Sequence, residues 1–115
     1  MITGVHAILY SRDAEALRAF FRDTLGLDSV DAGGGWLIFA LPPAELGIHP
    51  DDGPPRAELH LLCDDLDATM AMLREKGVEL SGEVHRERWG VVTAIRLPGG
   101  GELGLYQPLH PTAIG

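Results

Sequence analysis

The feature that most constrains this chain is that part of it is written twice. Leu41-Pro42-Pro43-Ala44-Glu45-Leu46-Gly47-Ile48 returns as Leu97-Pro98-Gly99-Gly100-Gly101-Glu102-Leu103-Gly104-Leu105, with one extra glycine in the turn. Each copy reads as a strand end, a tight turn and a strand start. Other landmarks repeat in the same order. His6 stands seven residues before Asp13, and Glu58 seven residues before Asp65; an apolar-periodic segment follows each aspartate and stops at Gly26 or Gly77. Five ordered landmarks with slowly drifting separation point to a duplicated unit, roughly residues 1–50 and 57–108.

Residues 2–10 are rich in β-branched and apolar side chains and predict a strand. Ser11-Arg12-Asp13 supplies an N-cap, and Leu17, Phe20, Phe21, Thr24 and Leu25 then recur at helical spacing up to the stop at Gly26. Strands are expected at 27–31, 36–41 and 45–49. Residues 50–56, rich in proline and glycine, form a linker. The second unit repeats the order: a strand at 56–62, and a helix capped by Asp65 or Asp67 and striped by Leu66, Met70 and Leu73. Strands follow within 78–89, at 91–97 and at 102–107. A tail, 109–115, is expected to lie loosely on the surface. The fold class is therefore α+β, two tandem βαβββ modules forming a curved sheet trough with helices outside.

At 115 residues the chain has the size of one domain, able to bury a core without disulfides. Its one cysteine, Cys63, lies among leucines and reads as a small buried hydrophobe in a reducing cytoplasm. A net charge of −8 opposes nucleic-acid binding, which needs a clustered positive surface. No apolar run approaches membrane-span length, and Met1 to Gly4 runs into a strand pattern without a signal-peptide layout. The triple-glycine runs open no helix, so turn chemistry explains them and no nucleotide cofactor is expected.

Strand alternation then sorts the faces. It separates Glu45, Gly47 and His49 from Leu46 and Ile48, and Glu102, Gly104 and Tyr106 from Leu103 and Leu105; it groups Glu58 with His60. The leucines and isoleucine belong against the helices. The other face becomes a polar trough lined by His6, Glu45, Glu58, His60 and Glu102.

With these residues in place, the run V-H-A-I-L-Y-S-R-D-A-E-A-L-R-A-F-F-R-D-T-L-G-L resembles the opening of the vicinal oxygen chelate superfamily, which includes glyoxalase I, extradiol dioxygenases and bleomycin-resistance proteins. L-C-D-D-L-D-A-T-M-A-M-L-R-E-K-G-V and L-P-G-G-G-E-L-G-L-Y-Q-P resemble its second module. The resemblance spans about residues 3–108 and implies paired modules, often with a divalent metal held by His and Glu side chains on the trough floor. His6 sits at the first-strand histidine position. Glu58 falls where the second module usually has histidine, with His60 two residues on. Gly104 falls where the last-strand glutamate is expected, with Glu102 two residues earlier on the same face.

His6 with Glu45, Glu58, His60 and Glu102 would make a mixed nitrogen and oxygen site suited to Zn²⁺, Ni²⁺, Mn²⁺ or Fe²⁺. One function expected is a metal-dependent lyase, isomerase or dioxygenase acting on a small molecule with adjacent oxygens, with Glu45 or Glu102 moving a proton. The other is a metal-free protein that sequesters a small aromatic or cationic compound, as bleomycin-resistance proteins do. Each candidate ligand also has a plainer reading as a solvated strand residue. Trp36 and Trp89 are core or cavity-wall residues that offer a planar platform if they reach the trough. Tyr106 shares the trough face and His49 stands near its mouth, whereas His85 and His110 carry no assignment. Open sheet edges in so short a chain, and the family resemblance, lead to an expected homodimer.

Overall fold

The computed structural model describes residues 6–50, 52–54 and 56–114. Helix α1 (Ala14–Ala19) starts where the Asp13 carboxylate accepts the Ala16 amide at 3.1 Å. It runs on into a wider turn, Phe20–Thr24, closed by Leu25 N–H to the Phe20 carbonyl at 3.1 Å. Gly26 stops it at φ 70°, a left-handed conformation that costs glycine little. Helix α2 (Leu66–Glu75) is capped the same way, the Asp65 side chain accepting Ala68 N–H at 3.0 Å. Between Asp65 and Asp67, the structure assigns the cap to Asp65. Gln107 adds a second cap from the sheet, its Oε1 taking Leu66 N–H at 2.8 Å.

The strands are β1 (Ser29–Asp31), β2 (Leu37–Phe39), β3 (His60–Leu62), β4 (His85–Glu87), β5 (Gly90–Arg96) and β6 (Glu102–Pro108). β1 and β2 form an antiparallel pair, and the other four a sheet ordered β3-β6-β5-β4. The second unit thus builds the whole β-α-β-β-β order. β3 runs parallel to β6 and the remaining pairs are antiparallel. The polar middle expected within 78–89 is a break at Gly82, between a single bridge from Leu80 to Ile95 and β4.

One apolar cluster joins both helices to this sheet: Leu17, Phe20 and Phe21 from the first helical segment, Leu66, Met70 and Leu73 from α2, Val91 and Ile95 from β5, and Leu103 and Leu105 from β6. The two predicted helical stripes are therefore the ones buried. Lys76 ties the helix ends together through Nζ to the Thr24 carbonyl at 3.1 Å. Among the described residues, no helix is long and apolar enough to cross a membrane.

The first unit departs from expectation. Of the strand expected at 2–10, residues 2–5 lie outside the described residues, and 6–10 form no strand. Residues 45–49 likewise form no strand, and Leu46 and Ile48, expected against a helix, are 85% and 87% exposed. The reason is pairing. A strand needs a neighbour for its amides and carbonyls. β3 and β6 supply that to one another in the second unit. Their counterparts in the first unit find no such neighbour among the described residues, so apolar alternation there is not converted into burial. The tail also departs. Leu109 N–H bonds the Trp89 carbonyl at 2.9 Å and Ala113 N–H bonds Glu45 Oε1 at 2.8 Å, so it is held rather than loose.

Candidate ligand-binding trough

Alternation along β6 sends Leu103 and Leu105 into the core and leaves Glu102, Gly104 and Tyr106 on the opposite face. On β5 it leaves Val92, Ala94 and Arg96 there. With Glu58 and His60 at one edge and Glu83 and His85 at the other, this face bounds a concavity of about 710 Å³. Leu9 is the contribution of the first unit to its lining among the described residues.

Two glycines shape the floor. Gly104 lies between His60 on β3 and Ala94 on β5. The His60 ring rests directly over it, where a Cβ on Gly104 would overlap Nδ1. The Nε2 of the same ring is 3.2 Å from Glu58 Oε2. That hydrogen bond, and then the charge of His60, hold the Glu58 carboxyl below the usual carboxylate range, with smaller help from Arg56 and His49 against slight burial. Gly90 plays the same part for Tyr106, whose ring covers it. Tyr106 in turn meets Trp89 edge to face at 5.6 Å, with His60 at 6.2 Å and His110 at 5.8 Å. Burial, and then the negative charge of Glu45, push the Tyr106 hydroxyl up from its ordinary value.

The far edge carries a second imidazole–carboxylate pair, His85 Nε2 to Glu83 Oε2 at 3.5 Å. Beside it the buried Thr93 hydroxyl donates to the Glu83 carbonyl at 2.6 Å, and among the described residues no buried side-chain nitrogen or oxygen lacks a partner. Glu83, His85 and Arg96 went unassigned in the sequence reading. The signal was present in E-V-H-R-E, whose two-residue period places Glu83 and His85 on one face.

The predicted site residues are therefore divided. Glu58, His60 and Glu102 share the concavity. His6 is exposed and does not line it. Glu45 lies instead beside Tyr106, bonded to the tail. His49 reaches Glu58 through its charge. Trp89 packs on Tyr106, and neither is among the residues that line the concavity, while Trp36 is 64% exposed, with the Arg18 guanidinium 4.9 Å from its ring centre. Among the described residues no three His, Cys, Asp or Glu side chains converge to hold a metal ion. The chemistry agrees with that geometry: Gly104 offers no donor at the last-strand position, and His60 spends Nε2 on Glu58. The described residues, as arranged, do not fit a divalent ion.

A trough floored by a four-stranded sheet, with both helices behind it, defines a class. The chain belongs to the glyoxalase/bleomycin resistance protein/dioxygenase superfamily, which it matches over residues 5–103. Among solved structures it is similar to TnmS3, an antibiotic binding protein from Streptomyces sp. CB03234, with 30% identity over 93% of this chain and 97% of that one, at a TM-score of 0.65. A glyoxalase/bleomycin resistance protein from the same Streptomyces strain is also 30% identical, over 84% of this chain and 93% of the other, at a TM-score of 0.57. Lactoylglutathione lyase from Agrobacterium tumefaciens has the same fold at 19% identity, covering 91% of this chain and 92% of its own, with a TM-score of 0.65. A comparison with curated proteins found no match.

Proposed function

We propose that the protein binds a small aromatic or cationic molecule in the trough without a metal, and so sequesters it. The observation that carries this reading is the floor at Gly104, where the resemblance calls for a carboxylate and the His60–Glu58 pair lies over bare backbone instead. Acidic Glu58, Glu83 and Glu102 line the concavity and suit a cation, and the Tyr106–Trp89 stack that adjoins His60 outside that lining suits a flat ring. The likeness to an antibiotic binding protein at 30% identity supports the same reading. One observation favours the second reading, a divalent-metal lyase, isomerase or dioxygenase: Glu58, His60 and Glu102 do share one concavity. In that reading His6 and Glu45 complete the ligand set, and Glu45 or Glu102 moves the proton.

Calorimetry decides between them. The sequestration reading expects an aromatic cation to bind with equal affinity in the presence and absence of a chelator. It fails if binding requires Zn²⁺, Ni²⁺, Mn²⁺ or anaerobic Fe²⁺.

The proposed assembly is a homodimer. Ile8, Tyr10, Val30, Leu46 and Ile48 of the first unit are all more than half exposed. A second copy would cover them and give residues 6–10 and 45–49 strand partners. Sedimentation showing only monomer at micromolar concentration would sink this. The proposed site of action is the cytoplasm, which suits a chain whose single cysteine, half-buried, allows no internal disulfide.

A further inference from the structure

The tail makes its contacts with the residues that a ligand would use. His110 lays its ring against Tyr106 at 5.8 Å between centroids and brings Nε2 to the Tyr106 hydroxyl. Three residues further on, Ala113 presents its N–H to the Glu45 carboxylate at 2.8 Å. Glu45 is half-buried, although its neighbours from Leu41 to Pro50 are exposed.

The Tyr106 hydroxyl lies within hydrogen-bond reach of both the Trp89 carbonyl, at 3.2 Å, and His110 Nε2, while His110 Nδ1 faces the Pro111 carbonyl at 2.7 Å. The tail thus lays a flat imidazole on an aromatic platform and an N–H donor on a carboxylate. An aromatic face with a carboxylate beside it suits a flat cation. None of these groups belongs to the apolar core, so the tail can leave without opening it.

We infer that residues 109–114 are a displaceable cover over a ligand subsite formed by Trp89, Tyr106 and Glu45, and that this subsite takes a planar aromatic cation bearing an N–H donor. The inference rests on the sequestration reading and adds to it the ligand class and a competitor built into the chain. A ligand of that class replaces His110 on Tyr106 and the Ala113 amide on Glu45. While the tail is seated, only the fraction of molecules with an open subsite can bind, and apparent affinity falls by that fraction.

The test uses the full chain and ethidium, a planar aromatic cation with amino N–H donors, as the probe. The variant is His110→Ala with Ala113→Pro, which removes the stacked ring and the donor to Glu45. Circular dichroism melting confirms that the core is intact. The variant should bind ethidium about tenfold more tightly, as expected when one competing contact pair that keeps the subsite mostly closed is lost. In the unaltered chain, saturating ethidium should speed hydrogen exchange of the Ala113 amide. Equal affinity of the two proteins, or ethidium binding that leaves Ala113 exchange unchanged, overturns the cover while leaving sequestration standing. Failure of both proteins to bind ethidium overturns the subsite, and the aromatic-cation form of the sequestration reading with it.

Discussion

Placing a methyl group on each of the two floor glycines tests whether the trough is built as described. At Gly104 the three atoms nearest an added Cβ all belong to the His60 ring, Nδ1, Cε1 and Cγ. A ring can rotate away about χ1. The cost is then an off-rotamer or displaced histidine plus the exposed bond to Glu58, together about 1 kcal/mol. At Gly90 the added Cβ meets the Tyr106 ring and also the Gln107 carbonyl oxygen at 2.8 Å. That oxygen is backbone in the β5–β6 ladder, where Val91 pairs with Gln107, and it cannot rotate aside. Gly90→Ala should therefore cost about 2–3 kcal/mol, near the upper end for forced overpacking. For a chain of this length, 1 kcal/mol corresponds to a melting shift of roughly 4 °C, so Gly104→Ala should lower Tm by about that and Gly90→Ala by two to three times as much. Urea denaturation gives the free energies. A carbon-detected titration of Glu58 should also show its carboxyl returning toward the ordinary range in Gly104→Ala, because its partner has moved. Equal destabilisation by the two substitutions, or an unshifted Glu58 in Gly104→Ala, would refute the account of the floor.

Three more outcomes follow from the packing and the charges. Ile95 is fully buried in the apolar cluster that the helices share with the sheet, so Ile95→Ala should cost about 2–5 kcal/mol by urea unfolding, whereas Ile48→Ala, at 87% exposure, should change the stability of the isolated chain by less than about 0.5 kcal/mol. Asp65→Ala removes the side-chain cap of α2 and should cost about 1 kcal/mol; Gln107→Ala should add to it, since each supplies a different acceptor at that helix start. The folded-state depression of Glu58 means that its carboxylate binds a proton less readily than in the unfolded chain. Its contribution is complete above the ordinary Glu range and disappears as pH falls through the lowered value. The acid limb of stability against pH should therefore flatten in His60→Ala, and an unchanged limb would contradict the pairing.

The second unit was legible because its signals agree. Asp65, the stripe Leu66, Met70 and Leu73, the stop at Gly77 and the alternation of Leu103 and Leu105 each point to the same element and face, and each takes that place. Both glycine stops and the cap at Asp13 were equally local. The trough face could be read from parity alone, since a two-residue period leaves no freedom once one side is buried. Glu83 and His85 carried the same signal, but the polar segment around them hid the strand.

Local patterning thus determined the helices, their ends, the sheet of the second unit and which side of it is polar, because capping, helical spacing and alternation act between residues a few positions apart. Tertiary structure alone decided the rest. Whether 6–10 and 45–49 become strands depends on a neighbour distant in sequence, and identical alternation gives burial at Leu103 and exposure at Leu46. The partner of His60 is Glu58 rather than Glu102 because β3 pairs with β6 in the register His60 to Gly104. Glu45 was predicted on the trough floor with Glu102, yet it receives the tail, because hydrogen bonds to Trp89 and Tyr106 bring residues 109–113 back across the end of the sheet. Spacing along a chain specifies which face a side chain occupies, but the group it meets there is set by which segments come to lie side by side.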